Sequence, residues 1–590
     1  MTIRCFRFQS VRKTAFITSL LLGLLGQLLF TGPIDRNPTL GAICFALAAM
    51  GVLASGVRID PDTGIEPGER VEPARGLEVC DRVVGITVFA LILFVSAFFR
   101  FYRLHELPPG LWWDEAQTGI AARDILNGHL PPVYDLRINA GSLLSFGIAG
   151  WFSVFGSSIL ALRAYYATVG VITTGVSFFF FRTFFPPVWS FFGMILIAIS
   201  RWLFSINRVA MATIDETILL TFTVFIVYIS ALRSGRTWRH LLCGVLVGIG
   251  LHLHTGARVL PLIIGVDLIT RLIRSQRGFL LRQLKQASVL VAAAIIAFAP
   301  MALHIIRHPS DYFKRSKETL LSTEYPGYYG VPTLAENTLN YLKMYSFSGD
   351  WHPRHNHGRS PQLAPPVSVL ALFGLAIALS RWRRDIDRFF ILGFILVSLQ
   401  GILTVHNNTA NLNRVAENIP IVHFWAVCGM VYLADGLSGM LSSKYHRTLI
   451  GMLTALTLAV TFTSEYHIYF NLYSKSREIV GVFGFQPELT EPAEAIRELL
   501  DRDETIRVYA EYTRSDSFRY VQPSHPRLFE ISGATLPTEF PEGPIAIVVL
   551  DQNHALNRDV RRRFPDAIVD EREYSLIPGY TLYRIYRIQS

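Results

Sequence analysis

Two adjacent carboxylates, Asp114 and Glu115, stand in the segment LPPGLWWDEAQTG, which follows the apolar run VVGITVFALILFVSAFF. A second adjacent pair, Asp215 and Glu216, lies in RVAMATIDETILL, with Arg208 at its head. A carboxylate within hydrogen-bond reach of a hydroxyl can take its proton as the oxygen attacks. Acids also favour helix N-termini, so either pair could simply open a helix. Two such pairs beside apolar segments weigh against that reading, because an ionisable group at the centre of a membrane helix costs roughly 2.5–3.5 kcal/mol.

Cationic and imidazole groups cluster in the same way. GLHLHTGARVLPL places His254 and Arg258 with His252 at the junction of two apolar runs, and Arg414 stands in HNNTANLNRVAEN. GDWHPRHNHGRSP brings His352, His355 and His357 together with Asp350, Arg354 and Arg359. The two-residue step from His252 to His254 is not the i, i+4 spacing of helical zinc ligands, and the proline and glycines of the third segment suit an ordered loop. A divalent metal is compatible with these residues, but nothing in their spacing requires one. No phosphate-binding loop, dinucleotide fingerprint, HExxH or GxSxG stands in a supporting context.

Acids, arginines and an apolar surround suit the transfer of a sugar from a lipid phosphate. The leaving phosphate is already anionic, so it needs cationic stabilisation rather than a general acid. The acceptor hydroxyl needs a base. Glycoside hydrolysis fits less well, because its two carboxyl groups face each other across the sugar about 5–9.5 Å apart, which adjacent residues do not readily do. Arg258 and Arg414, each at the outer end of an apolar run, are the candidate phosphate clamps.

The elements that position these groups follow from hydropathy. Of 590 residues, 51% are hydrophobic, which marks a polytopic membrane protein. The net charge of +10 sits in short loops between apolar runs and does not build the basic face of a nucleic-acid binder. A window of roughly 20 apolar residues per crossing predicts about thirteen transmembrane helices. They fall near residues 14–31, 38–56, 82–99, 161–181, 187–205, 217–233, 239–254, 257–273, 287–306, 365–380, 388–405, 419–437 and 447–464. The shorter run from Leu143 to Phe155 reads as an interfacial or re-entrant piece. Alternate loops are basic, as in RSGRTWR and RWRRDIDR, which puts the N-terminus in the cytoplasm. Both acidic pairs, the histidine loop and the C-terminal tail then share the outer side. In the tail, IRVYAEY, IAIVVLD and GYTLYRIYRI have strand character and EPAEAIRELLDRD reads as an amphipathic helix. The expected organisation is two extra N-terminal helices in 1–60, a cytoplasmic linker in 61–82, a transmembrane catalytic unit in 83–470 and a small extracytoplasmic α/β domain in 475–590. The five cysteines form no CxxC pattern, and no disulfide is expected.

LPPGLWWDEAQTGIAARDILNGHLP, RVAMATIDETILL, FSGDWHPRHNHGRSP and NRVAENIPIV resemble segments of bacterial membrane glycosyltransferases of the GT-C superfamily. These are related to protein O-mannosyltransferases and the aminoarabinose transferases of lipid A. The resemblance implies a mainly α, polytopic helix bundle of GT-C type, a polyprenyl-phosphate-sugar donor, an acceptor outside the cytoplasm and an inverting single displacement beside the lipid bilayer. It assigns Asp114 as the catalytic carboxylate, Glu115 as its positioning neighbour, and Asp215 or Glu216 as the acid of the second outer loop. Arg208, His254, Arg258, His355 and Arg414 are the expected substrate-binding residues. The rival reading is a transporter or flippase of an amphiphilic anionic lipid or sugar, whose cavity would collect the same groups.

Overall fold

The computed structural model describes residues 79–211, 214–321, 332–404, 410–438, 443–480, 484–531 and 535–588, with scattered positions between 18 and 48. The spans expected at 14–31 and 38–56, and most of the linker expected at 61–82, lie outside the described residues. The chain runs through α1 (Val79–Phe101), α2 (Trp113–Leu126), β1 (Tyr134–Asp135), β2 (Ala140–Gly141), α3 (Leu143–Phe155), α4 (Ile159–Arg182), α5 (Pro187–Ile199), α6 (Arg201–Asn207) and α7 (Ile214–Ser234). It continues through α8 (Thr237–Gly250), α9 (Val259–Arg274), α10 (Arg277–Arg307), α11 (Pro309–Glu318), α12 (Leu334–Lys343), α13 (Pro365–Ser380), α14 (Asp385–Ile402), α15 (Ile419–Ser438) and α16 (Ser443–Tyr466).

Each apolar run expected after residue 82 is helical, but fewer of them than expected could cross a bilayer alone. Among the described residues six helical stretches are long and apolar enough, and α5 with α6, bent by 52°, makes a seventh if the two are one span. Helices α8, α9 and α13, of 14, 16 and 16 residues, fall short of the roughly 20 that a crossing needs. One face of each packs on other helices. Gly244 and Gly248 of α8 lie against the backbone of α10, where a Cβ would come within 2.1 Å of the Leu290 oxygen and 2.5 Å of the Ala294 oxygen. Small residues at helix contacts allow this close approach in a medium where lipid offers no hydrophobic drive.

The loops sort to two ends of the bundle. At one end Arg233 donates to the Thr183 carbonyl, Gln286 to the Gly235 carbonyl at 2.9 Å, and Arg271 to Asp267 and Asp385 at 2.6 and 2.7 Å, so the basic loops meet there. At the other end lie the residues that could do chemistry, with the C-terminal domain on top. That domain carries α17 (Pro487–Arg502), β3 (Arg507–Ala510), α18 (Asp516–Val521), β4 (Leu528–Glu530), β5 (Ile545–Leu550), α19 (His554–Arg563), β6 (Ile568–Glu573) and β7 (Thr581–Ile588). Its sheet has the order β4-β3-β5-β7-β6, with β3 parallel to β4 and β5, and β7 antiparallel to β5 and β6. The expected strands and helix of the tail are all present. The fully buried run of β5 is the strand covered on both faces.

Candidate active site

The segment between α1 and α2 is held by two buried arginines. Arg208, at the end of α6, donates to the carbonyls of Phe99, Arg100, Tyr102 and Leu107 at 2.9, 3.0, 2.9 and 2.7 Å. It thereby satisfies the orphan oxygens at the C-terminus of α1. Arg208 was expected to bind substrate; it is fully buried and both of its terminal nitrogens donate to backbone carbonyls, which caps α1, while its Nε makes no hydrogen bond among the described residues. Arg163 of α4 donates to Pro108 and Gly110 carbonyls at 2.6 and 2.7 Å and to both oxygens of Glu115 at 2.9 and 3.0 Å. Glu115 is completely buried. The structure therefore makes it a brace of the loop, with no face left for donor or acceptor.

Asp114 differs from its neighbour in every respect. It stands in the first turn of α2 with half of its side chain exposed, and Trp112 Nε1 donates to its Oδ2 at 3.2 Å. Facing it is Arg354, whose Nη1 is 3.8 Å from the same oxygen and whose guanidinium lies 3.5 Å from the centre of the Trp112 ring. Burial lowers the Arg354 pKa to about 10 against the opposing charges of Asp114, Glu115 and Asp350, so it is a cation at neutral pH. Its Nε and Nη1 are buried, yet neither makes a hydrogen bond among the described residues. A buried donor left unpaired costs about 1–3 kcal/mol, so these open N–H groups suit an incoming oxygen.

Arg354 is carried by a loop built on Asp350, which is itself fully buried. The Asp350 carboxylate accepts from the His352 and Leu412 amides at 2.9 and 3.2 Å, and lies 2.8 Å from His355 Nδ1. His355, expected to bind substrate, is thus tied to the loop's own acid. Arg201 adds an ion pair to Glu465 at 2.8 Å and donates to Asn356 and to the Pro361 carbonyl, while the Tyr473 hydroxyl donates to the Pro353 carbonyl at 2.6 Å. Among the described residues no group of three or more His, Cys, Asp or Glu is arranged to hold an ion.

Through Leu412 the same acid pins the 3-10 segment Leu412–Asn418, which carries Arg414. Tyr341 of α12, whose hydroxyl accepts from the Asn411 amide at 3.2 Å, feels both Arg414 and Asp350. Arg414 in turn acts electrostatically on His254, as do Arg258 and Arg315 from two other elements. His254 caps the turn Thr255–Arg258 by accepting from the Gly256 amide at 3.1 Å. Arg258 is not a lone cation: it donates to Ser316 Oγ at 2.9 Å and the Tyr312 carbonyl at 3.2 Å, and stacks 3.8 Å over the Tyr312 ring. The shared influence of Arg258, Arg315 and Arg414 on His254 was not evident from sequence, because Arg315 lies in α11, where nothing marked it.

The second acidic pair sits inside the bundle. Asp215 is fully buried, accepts from Asn207 Nδ2 and faces Arg100, whose Nε donates to Asn207 Oδ1 at 2.8 Å. Its neighbour Glu216 lies beside Tyr165. Among the described residues no hydrogen bond or ion pair joins Asp215 or Glu216 to Asp114; Asp215 interacts electrostatically with Arg100, and its Oδ2 and both oxygens of Glu216 are buried without a hydrogen-bond partner among those residues. Arg163, Asp350 and Arg354 are the residues that sequence reasoning missed as partners. The only available signal was the density of charge in GDWHPRHNHGRSP.

No protein-family model matches the sequence, and no curated protein matches it. Among solved structures, the chain is similar to ArnT from Cupriavidus metallidurans bound to undecaprenyl phosphate, with 13% identity over 86% of this chain and 97% of that one and a TM-score of 0.48. The apo form of the same protein gives 12% identity, the same coverage and a TM-score of 0.49. The archaeal oligosaccharyltransferase AglB from Archaeoglobus fulgidus, in complex with an inhibitory peptide and a dolichol-phosphate, gives 10% identity over 75% of this chain and 64% of that one, with a TM-score of 0.49. With scores below 0.5 at such low identity, the chemistry of this chain is read from its own residues.

Proposed function

We propose that the protein is an integral-membrane glycosyltransferase that moves a sugar from a polyprenyl-phosphate donor to an acceptor hydroxyl outside the cytoplasmic membrane. The observation that carries this reading is the facing pair of Asp114, a half-exposed carboxylate, and Arg354, a buried cation with open N–H donors beside it. In the reaction the acceptor oxygen attacks the anomeric carbon and its proton passes to Asp114. The bond from that carbon to the phosphate oxygen breaks, and the electron pair leaves with the polyprenyl phosphate. A single displacement of this kind inverts the configuration at the anomeric carbon. Arg354 meets the charge that grows on the departing oxygen, where a preorganised donor in a dry site is worth most. Arg258, Arg315 and Arg414, each of which acts electrostatically on His254, supply the wider positive field that a lipid phosphate needs.

The alternation of basic loops supports an orientation with the N-terminus in the cytoplasm and the C-terminal domain outside. The catalytic end then opens to the periplasmic or extracellular side, where no nucleotide sugar is available and a lipid-linked donor is the natural supply. Incubation of the purified protein with a panel of labelled polyprenyl-phosphate sugars, with and without acceptor glycans, lipids and peptides, tests the reading. Acceptor-dependent release of polyprenyl phosphate is expected. Movement of the labelled lipid between the leaflets of a vesicle, with no release from any donor, would replace the transferase by a carrier.

A further inference from the structure

The C-terminal domain grips the segment that carries Asp114 from both sides. Ahead of it, Gly110 adopts a φ of +61° and its backbone packs so tightly on the start of α17 that a Cβ would lie 2.5 Å from Pro487 N. Behind it, the ring of Tyr520, 1% exposed, fills a notch at Gly119, where a Cβ would lie 2.3 Å from Tyr520 Cε2. Glycine weakens a helix interior relative to alanine, so this one has a packing reason to be there. One turn on, Arg123 lies 3.8 Å from the centre of the Tyr520 ring and donates to the Tyr520 carbonyl at 2.6 Å. The Tyr520 hydroxyl donates to the Ser157 carbonyl at 3.0 Å, and Gln117 Nε2 donates to Asp516 Oδ2 at 3.1 Å. Tyr520 therefore belongs to a small hydrophobic core shared by α2, α3 and α4, separate from the main core of the bundle.

We infer that Tyr520 is a positioning residue: wedged at Gly119, it sets the angle of α2 and thereby the distance from Asp114 to Arg354. The soluble domain is then part of the active-site scaffold. The kinetic half of this inference rests on the glycosyl transfer proposed above; the structural half does not. In the full-length protein, Tyr520→Ala should lower kcat at least about tenfold with KM for the polyprenyl-phosphate donor nearly unchanged, since small misplacement of a reacting group is costly to the chemical step. Hydrogen exchange across residues 113–126 should rise in the same variant. Tyr520→Phe, which keeps the ring and loses only the hydroxyl, should recover most of the kcat. Gly119→Ala, which expels the ring from the other side, should reproduce the alanine phenotype if Tyr520→Ala fails to fold. A wild-type kcat in Tyr520→Ala, or a rise in KM alone, would overturn the inference. If the wild-type protein turns over no donor, the functional reading fails while exchange still decides the wedge: unchanged exchange at 113–126 in Tyr520→Ala sinks it independently.

Discussion

Asp114 and Glu115 are neighbours in the chain, and each meets an arginine, but the two pairs are built for opposite purposes. Glu115 and Arg163 are 0% and 1% exposed, the carboxylate is engaged through both oxygens, and the remaining donors of the arginine go to backbone carbonyls. Asp114 is half exposed, its arginine stands at 3.8 Å, and two nitrogens of that arginine make no hydrogen bond among the described residues. A closed pair with every polar atom satisfied is a structural element, and removing one partner leaves an uncompensated buried charge. An open pair, with unmet hydrogen-bonding capacity next to solvent, is where a substrate can gain what the protein has left unmade. Their adjacency has a structural consequence: the closed pair ties the first turn of α2, which also carries Asp114, to α4.

The sharpest way to break this comparison is to exchange the two acids for neutral groups and read activity and stability separately. Asp114→Asn should lower kcat by roughly 10² to 10⁴, the range for loss of a general base, with the unfolding transition where it is in the wild type. Activity within a few-fold of wild type in a folded variant would remove Asp114 from the chemistry. Glu115→Ala should cost about 3–5 kcal/mol of stability, measured by chemical unfolding in detergent, because it strands Arg163 in the interior. An unchanged midpoint there would mean that the pair does not brace the loop.

Smaller effects sharpen the open pair. Arg354→Lys keeps the charge but loses the planar guanidinium that lies on Trp112 and its spread of donors; turnover should fall about ten- to a hundredfold, the worth of a charged hydrogen bond. A rise in KM for donor with kcat unchanged would instead assign Arg354 to ground-state binding. The least effect is expected of Trp112→Phe, which weakens the cation–π contact by about 0.5–1 kcal/mol and removes the indole hydrogen bond to Asp114. A titration of donor against kcat should show a few-fold loss, and a loss as large as that of Asp114→Asn would show that the indole does more than hold Arg354.

Much of the scaffold was legible because membranes and sheets impose simple periods. Apolar runs such as 161–181 and 419–437 became α4 and α15, and the alternation in GYTLYRIYRI became β7. The count of crossings was less legible. Hydropathy records how apolar a run is, but α8 is apolar in order to face α10 through Gly244 and Gly248, and ends after 14 residues. The candidate site divides in the same way. Asp114 was singled out by residue type and place, whereas Arg208 has the same composition-level signature as Arg354 and proves to be a cap for the carbonyls of α1. His355 likewise stands among the right residue types, and its buried contact with Asp350 ties it to the loop.

By itself the sequence determined where most of the helices form and which segments are rich in acids and arginines, because these depend on local composition and on the thickness of a bilayer. Only the tertiary structure decided which of two adjacent carboxylates would be open. Consecutive residues in a helical turn point about 100° apart, so the two side chains leave the helix in different directions and can meet different neighbours. Which one met Arg163, and which was left facing Arg354, depended on α4 and on a loop built around Asp350, far away in the chain. The physical reason is that burial and hydrogen-bond satisfaction belong to the packed neighbourhood of a side chain, which spacing along the chain does not encode.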